Sequence, residues 1–258
     1  MICCGIDAGS RLIKVLLLDA AAGRVLAAGC TDQGVQQDAL AEALLGELLS
    51  HAHLARGDIA RTIATGYGRA SVSAADTTVT EITCHAAGVH HLMPNARTVI
   101  EIGGQDSKFL ALQADGSVRD FAMNDRCAAG TGRFLEMVAK RLDLSLDQLG
   151  ELAQASLAPA AISSMCVVFA ETEIIGLLAE GAAPADIVAG VQKSIVTRVA
   201  AMAGRNVAPP VVLTGGVAMV PGMSAALEAA LGVQVALAPD PRMTGALGAA
   251  LLAARGRL

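Results

Sequence analysis

Short apolar runs separated by tight turns open the chain and then give way to a helical pattern. Runs rich in aliphatic and β-branched residues predict strands at Ile2–Ile6, Leu12–Asp19, Arg24–Cys30 and Thr62–Thr65. Gly-Ser and Ala-Ala-Gly turns join the first three, and connections this short require antiparallel hairpins. Leucines at helical spacing predict a helix from about Ala39 to His51, and a second apolar helix is predicted at about Val79–Leu92.

The same order of elements begins again near Ala96. Strands are predicted at Thr98–Ile102, Phe109–Gln113 and Val118–Met123, joined by Gly-Gly-Gln-Asp and by Asp-Gly. The chain therefore uses one plan, three strands followed by a helix, twice. Two such halves facing each other would form a cleft.

Helices dominate the remainder of the chain. Apolar residues recur at helical spacing in two segments, Phe134, Leu135, Val138 and Leu142, then Ile187, Val191, Ile195 and Val199. Gly204 is a predicted helix stop, and a strand at Val211–Leu213 and a small-residue helix at Thr244–Ala254 follow. The predicted lobes are residues 1–95 and 96–242, and the closing helix, within 243–258, is expected to pack back on the first lobe.

Glycine, aspartate and lysine cluster around the first hairpin of each half. They are Asp7, Gly9 and Lys14 in the first half, and Gly103, Gly104, Asp106 and Lys108 in the second. Glycines let backbone N–H groups approach a phosphate, and carboxylates can hold the waters of a Mg²⁺ ion, so one interpretation is a Mg-nucleotide site. The other is that Asp and Gly simply make good hairpin turns. No Walker A or Gly-x-Gly-x-x-Gly sequence follows the first strand.

Composition excludes several classes of partner. With 258 residues and 53% hydrophobic residues, the chain can bury a large core, and its net charge of −5 argues against binding nucleic acid. Mean hydropathy is +0.53, but the longest uncharged stretch, Asn206–Leu227, is interrupted by prolines and glycines and is not expected to span a membrane. No secretory signal pattern is present, so a cytoplasmic protein without membrane partners is expected.

Four glycine-containing segments resemble the acetate and sugar kinase, heat-shock protein and actin superfamily. They are Gly-Ile-Asp-Ala-Gly-Ser (5–10), Ala-Thr-Gly-Tyr-Gly-Arg (64–69), Ile-Gly-Gly-Gln-Asp (102–106) and Leu-Thr-Gly-Gly-Val (213–217). They most resemble the BadF/BadG/BcrA/BcrD-type ATPases, which include the 2-hydroxyacyl-CoA dehydratase activators. The resemblance covers essentially the whole chain. It implies an α/β, actin-like ATPase fold with two βββαβα lobes around a nucleotide cleft.

The resemblance also implies roles for individual residues. The first phosphate loop would contain Asp7, Gly9, Ser10, Arg11 and Lys14, the second Gly103, Gly104, Gln105 and Asp106, and the adenosine border Gly215 and Gly216. Asp7 would anchor the magnesium shell, and Asp106 or Gln105 would orient the attacking water. Arg11 replaces a residue that is usually small, and could either clamp a phosphate or crowd the loop. Glu101 stands where Asp is usual.

Two of the six cysteines precede predicted helices, where the helix dipole stabilises a thiolate. They are Cys127, in Asn-Asp-Arg-Cys-Ala-Ala-Gly-Thr-Gly, and Cys166, in Ser-Ser-Met-Cys-Val-Val-Phe-Ala-Glu. Both stretches resemble the cluster-binding segments of the activators, which implies one [4Fe–4S] cluster shared between two subunits. Such a cluster takes four thiolates, and two copies of the chain would supply them, so a homodimer is expected.

The other cysteines, Cys3, Cys4, Cys30 and Cys84, are interpreted as small buried residues. Cys3 and Cys4 are adjacent on a strand, so they should face opposite sides of the sheet. The Cys84-His85 and His90-His91 pairs match no standard zinc spacing.

The function implied by the resemblance is ATP-dependent electron transfer. The cluster would take one electron from ferredoxin or flavodoxin, and ATP binding and hydrolysis to ADP would drive it to an acyl-CoA dehydratase or a benzoyl-CoA reductase-type enzyme. A small-molecule kinase of the same superfamily is the alternative, with Asp106 or a neighbour as base. A nucleotide-dependent sensor without electron transfer is a third.

Overall fold

The computed structural model describes residues 1–163 and 166–256, and the chain divides into two compact units. Unit 1 comprises residues 1–95 and 112–118 and the segment from Arg242 onward, and unit 2 comprises residues 96–111 and 119–241. Positions 164 and 165 of the second cysteine segment, and the last two positions of 243–258, lie outside the described residues.

Unit 1 is built on a mixed five-stranded sheet. Its elements are β1 (Ile2–Ala8), β2 (Leu12–Asp19), β3 (Arg24–Asp32), α1 (Gln37–His51), β4 (Ile59–Thr65), β5 (Thr77–Thr78) and α2 (Glu81–Leu92). The strand order is β3-β2-β1-β4-β5, in which β1, β2 and β3 are successive antiparallel neighbours and β4 returns parallel to β1. The short turns thus form the antiparallel hairpins that their lengths predicted.

Unit 2 repeats this topology and adds helices. Its elements are β6 (Thr98–Ile102), β7 (Ser107–Leu112), β8 (Val118–Asn124), α3 (Gly132–Leu142), α4 (Leu146–Gln154), α5 (Val167–Ala179), α6 (Pro184–Ala203), β9 (Val211–Thr214), α7 (Met223–Leu231) and β10 (Val235–Leu237). The sheet runs β8-β7-β6-β9-β10, with β6 antiparallel to β7 and parallel to β9. Because both sheets follow the order third, second, first, fourth, fifth, the predicted repeat is confirmed.

The closing helix α8 (Thr244–Ala254) packs on the sheet of unit 1 beside α2. Glycines lie where the backbone of α8 approaches the backbones of β1 and α2 too closely for a side chain. A Cβ on Gly5 of β1 would lie 1.9 Å from the Ala246 carbonyl oxygen, and a Cβ on Gly248 would lie 1.8 Å from that of Cys84. The abundance of small residues is therefore a packing requirement of this unit. Within the described residues, no helix is long and apolar enough to cross a membrane.

Two expectations about the cysteines can be compared with the sheet of unit 1. Cys4 belongs to the core on the α1 side, whereas Cys3 packs with Cys84 on the other side, which confirms that the adjacent pair faces opposite ways. The interpretation of Cys30 as a buried residue is wrong, because its side chain is exposed. Cys30 lies on the outer strand β3, and α8 packs mainly against β1, β2 and β4.

Candidate nucleotide and cysteine sites

A buried ion pair crosses the first hairpin of unit 1. Asp7 and Lys14 are direct partners across β1 and β2, with 2.9 Å between Lys14 Nζ and Asp7 Oδ2. Asp7 is only 3% exposed. Gly66, immediately after β4, has a φ of +93° and approaches so closely that a Cβ there would lie 2.7 Å from Asp7 Oδ1. The carboxylate is therefore confined by the lysine on one oxygen and by backbone near the other.

The turn that follows is held by hydrogen bonds. The Gly9 N–H donates to the Leu12 carbonyl oxygen at 3.1 Å, and Gln33 Nε2 donates to the Gly9 carbonyl oxygen at 2.8 Å. Ser10 lies in the same turn, while the half-exposed Arg11 pairs with Asp32 through a 3.1 Å contact between Nη1 and Oδ1. The guanidinium of Arg11 thus has a carboxylate partner at the end of β3.

Unit 2 contains the matching ion pair. Glu101 and Lys108 are direct partners across β6 and β7, with 2.9 Å between Lys108 Nζ and Glu101 Oε2. Lys108 is 1% exposed and also donates to Asp106 Oδ2, so one buried ammonium contacts two carboxylates. Gly215, with a φ of +92°, would place a Cβ 2.7 Å from Glu101 Oε1.

The two ion pairs occupy equivalent positions in the two sheets. In each, the acid precedes its lysine by seven residues, and it lies level with a threonine on the parallel strand, Thr65 beside Asp7 and Thr214 beside Glu101. Each threonine is followed by the left-handed glycine that approaches the acid.

This equivalence corrects how the sequence patterns were matched. The turn acids were paired as Asp7 with Asp106, but Asp7 lies within β1 and its structural counterpart is Glu101. Asp106 lies in the turn just ahead of β7. Glu101 is therefore a further candidate site residue, which the motif comparison treated only as a departure. The equal acid-to-lysine spacing in both hairpins was the signal that could have found it.

The second glycine loop is fastened to helix α3. The Gly132 N–H donates to the Gly103 carbonyl oxygen at 2.9 Å, and the Arg133 N–H donates to the Gly104 carbonyl oxygen at 2.8 Å. The first amides of a helix have no partner within the helix, so here they find one in the loop. Gln105 and Asp106 follow at once, and the Gly103 N–H closes the turn on the Asp106 carbonyl oxygen at 2.9 Å. Hydrogen bonds therefore join the Gly103–Asp106 loop to the first turn of α3.

The loop predicted to border adenosine lies after β9. The Gly215 N–H and the Thr214 hydroxyl both donate to the Pro241 carbonyl oxygen, at 2.9 and 2.7 Å. Gly216 begins a short 3₁₀ turn. The residues beyond it line an open, mainly apolar cavity of about 320 Å³, which includes Met219 and Leu237.

Cys127 and Cys166 both expose their side chains at the start of helical structure. Cys127 precedes the 3₁₀ turn Ala128–Gly130, and α3 itself begins five residues later than Cys127, whereas Cys166 directly precedes α5. The Asn124 side chain makes two hydrogen bonds to the Cys127 backbone. Its Oδ1 accepts from the Cys127 N–H at 3.0 Å, and its Nδ2 donates to the Cys127 carbonyl oxygen at 2.7 Å. The backbone that carries this thiol is therefore fixed on both sides, by a residue that the motif contained but did not single out.

The two helices that follow these cysteines pack together. Phe134 of α3 and Ala170 and Ile174 of α5 belong to the same buried core, and Arg141 pairs with Glu171 between the helices. Movement of either helix therefore disturbs the other.

The remaining thiols on β1 and α2 are unsuited to metal binding. Burial raises the pKa of the Cys4 and Cys84 thiols to about 12, and it also raises the pKa of Cys3, so these groups stay protonated. Among residues 1–163 and 166–256, no group of three or more His, Cys, Asp or Glu side chains is placed to hold a metal ion.

Comparison with known proteins identifies the family. The sequence profile of the BadF/BadG/BcrA/BcrD ATPase family matches residues 4–253, and the chain belongs to this family. It is 43% identical, over 96% of both chains, to the activator of lactoyl-CoA dehydratase of Anaerotignum propionicum. It is 32% identical, over 96% of this chain and 91% of the relative, to one of the subunits of benzoyl-CoA reductase from Thauera aromatica.

Solved structures agree with this assignment. The activator of the 2-hydroxyisocaproyl-CoA dehydratase from Clostridium difficile, with bound ADPNP, superposes with a TM-score of 0.94 at 40% identity and covers 99% of this chain and 95% of its own. A ROK family glucokinase from Streptomyces griseus, in complex with glucose and AMPPNP, reaches 0.59 at 15% identity and covers 99% of this chain and 100% of its own. The second likeness concerns the fold alone. Together these similarities confirm the predicted actin-like ATPase fold and the resemblance from which it came.

We predict that Lys108→Met destabilises the protein by about 3–5 kcal/mol, because removing one partner of a buried ion pair leaves uncompensated charge. Here both Glu101 and Asp106 lose their shared cation. Urea unfolding measures the effect, and the matched control is Lys193→Met at an exposed position of α6, which should stay within about 0.5 kcal/mol of wild type. Equal stability of the Lys108 variant and the control would contradict the interpretation.

Proposed function

We propose that the chain is an ATP-dependent one-electron donor that activates a 2-hydroxyacyl-CoA dehydratase, with a benzoyl-CoA reductase-type enzyme as the less similar alternative partner. The observation that carries the proposal is the bonding of the Gly103–Gly104 loop to the helix that follows an exposed cysteine. The names of the relatives, two dehydratase activators and one reductase component, support the choice of partner. A cytoplasmic location and reduction by ferredoxin or flavodoxin belong to the same proposal.

In this proposal the paired carboxylates prepare the site for Mg-ATP. In unit 2 the backbone N–H of Gly104 would face a phosphate oxygen, while the N–H groups of Gly9 and Gly103 hold the two turns closed. In unit 1 Asp7 would hold the water shell of Mg²⁺. Lys14 and Lys108 fix these carboxylates and offset the repulsion that they would exert on a polyphosphate. Asp106, in a turn and less buried than Glu101, is the better placed group to orient the attacking water, with Gln105 as the neighbouring candidate.

Cys127 and Cys166 fit the ligation of an iron–sulfur cluster. Both thiols are exposed. Cys166 directly precedes α5, whose N-terminal partial positive charge favours an anionic ligand, and Cys127 precedes the 3₁₀ turn that leads to α3. Two suitable thiols per chain and four ligands per cluster give one [4Fe–4S] cluster per homodimer. The cluster supplies the capacity to accept and release one electron.

Helix α3 would link nucleotide chemistry to the cysteines. A change in the Gly103–Asp106 loop pulls on the Gly132 and Arg133 amides, and Cys127 lies only a 3₁₀ turn ahead of this helix. Contacts with α5 then carry the displacement to the segment that follows Cys166.

A small-molecule kinase remains the competing proposal, because the sugar-kinase fold is shared. It requires neither exposed thiol, so iron analysis of the wild-type chain separates the two functions.

The ATPase assignment predicts that Asp7→Asn and Asp106→Asn each lower kcat for Mg-dependent ATP hydrolysis by about 10²-fold or more, because each removes a group that positions metal or water. A coupled phosphate-release assay measures turnover. Asp147→Asn, at an exposed position of α4, is the matched control and should hydrolyse ATP like wild type. Unchanged turnover in both site variants would refute the assignment.

The cluster assignment predicts that Cys127→Ala and Cys166→Ala each lose iron while still binding ATP, because one substitution removes two of four ligands through the dimer axis. Iron and sulfide analysis, the visible absorbance spectrum and the dimer fraction should be measured under anaerobic conditions. The control is Cys30→Ala, which removes another exposed thiol, distant in sequence from Cys127 and Cys166. This variant should keep the iron content of the wild-type protein. A Cys127 variant with wild-type iron content would disprove the shared cluster.

The coupling proposal predicts that Gly132→Ala slows ATP-dependent reduction of an acceptor by at least about tenfold, because a small displacement of the loop relative to α3 lowers the rate strongly. The variant should retain its iron content. A Cβ at this position would lie 3.1 Å from the Gly103 carbonyl oxygen and 3.0 Å from Val217 Cγ2. Electron transfer per ATP hydrolysed is the measured quantity. Gly46→Ala, in α1 with nothing within 4 Å of the new Cβ, is the control, and wild-type coupling in Gly132→Ala would overturn the proposal.

A further inference from the structure

Unit 1 holds a buried histidine beside the Asp7 carboxylate. His85 lies on α2, is 5% exposed, and has its Nδ1 atom 2.9 Å from the Thr244 hydroxyl oxygen at the start of α8. A Cβ on Gly245 would lie 3.0 Å from Asp7 Oδ2 and 3.3 Å from His85 Nε2. The carboxylate and the Cε1–Nε2 edge of the imidazole thus border the same glycine.

The backbone around the histidine leaves it little freedom. Gly88, one turn after His85, would place a Cβ only 2.1 Å from the Thr244 carbonyl oxygen, so α2 and α8 meet without intervening side chains. The Thr244 hydroxyl then fixes the ring at Nδ1. A neutral imidazole that accepts this hydroxyl proton at Nδ1 carries its own proton at Nε2, which borders Gly245 as the Asp7 carboxylate does.

All five histidines of the chain lie between residues 51 and 91, in unit 1, so unit 2 provides none for the second ion pair. Near Glu101, the additional group is a second carboxylate, Asp106, which shares Lys108. Near Asp7, the additional group is an imidazole, and Lys14 is the cation. The two pairs are equivalent in their strands and glycines, so the histidine is a feature of the unit 1 acid alone.

We propose that His85 is a positioning residue for ATP hydrolysis, which fixes the Asp7 carboxylate so that one oxygen keeps its orientation toward the magnesium shell. The inference rests on the proposed ATPase function and adds a residue that none of the glycine motifs contains. Thr244 acts one step further away, because it orients the imidazole. The role depends on the geometry of the ring and not on a change in its charge.

Paired substitutions test the two edges of the ring. His85→Asn keeps an amide near the position of Nδ1 and loses the Cε1–Nε2 edge that borders Gly245, whereas His85→Gln places an amide near the position of Nε2. We expect His85→Asn to lower kcat by about 10- to 100-fold, because small misplacements of catalytic groups have effects of this size. The KM for ATP should change little, since the phosphate-binding backbone is untouched, and His85→Gln should recover most of the turnover.

His91→Asn is the control, the same substitution at an exposed position of the same helix, and it should match wild type. Thermal unfolding is measured for each variant. If His85→Asn fails to fold, Gly245→Ala offers a second route, because its Cβ would lie 3.0 Å from Asp7 Oδ2 and 3.2 Å from His85 Cε1, so it disturbs the placement of the ring and the carboxylate relative to each other and should lower kcat.

The outcomes separate the two proposals. Wild-type turnover in folded His85→Asn, or in Gly245→Ala where His85→Asn does not fold, would overturn the role of His85 and leave the ATPase assignment standing. Equal losses in His85→Asn and His85→Gln, or a loss confined to KM, would also overturn it, because a positioning role requires recovery and a kcat effect. Absence of ATP hydrolysis by the wild-type chain would overturn both.

Discussion

A lysine paired with a carboxylate across the first hairpin of each unit is the interaction on which the candidate site depends. Buried charge is tolerated only when it is paired, so Lys108 requires Glu101 and Asp106, and the nearly buried Asp7 requires Lys14. These pairs occur where the central strand ends beside a parallel strand and a left-handed glycine. The sheet topology, the glycines and the acids therefore constrain one another, and a change in one has to be accommodated by the rest.

The packing of unit 1 explains three of its glycines. Gly5, Gly88 and Gly248 lie where α8 meets α2 and crosses β1, and a Cβ at each of these positions would overlap a carbonyl oxygen. That close approach brings Thr244 and Gly245 to the level of Asp7. A bulkier interface could have stabilised the unit equally well through apolar burial, but it would have moved these residues away from the carboxylate.

Much of the fold could be predicted from the sequence, since hydrophobic spacing and turn residues are local signals. The bounds of β2, β6 and α8 agree with the predicted ones, and most of the other predicted elements differ by a few residues. The patterns did not reveal β5 and β10, which are two and three residues long, because so few positions show no periodicity. The nine-residue helices α4 and α7 were also missed.

The candidate site was less predictable, because its partners come from distant parts of the chain. Motifs identified the glycine loops and the two candidate cluster cysteines, Cys127 and Cys166, yet they matched Asp7 with Asp106 and left Glu101 aside. Only strand register shows which acid is level with which lysine. Cys30 was placed in the core for a related reason, since a strand pattern does not reveal that its strand is at the edge of the sheet.

The buried acids and the exposed cysteines lie in different parts of the chain because they need different surroundings. The acids are buried or paired with a buried lysine, and they lie on sheet strands or in a turn tied to the sheet, whereas the thiols proposed to share a cluster with a second copy are exposed. An element that connects the acids to the thiols has to be rigid enough to transmit a displacement of the glycine loop over several residues. Helix α3 meets this condition, because its first amides bond to the glycine loop and its apolar face is held in the core of unit 2. The glycine at its first position is thus as much a part of the proposed mechanism as the cysteine that precedes it.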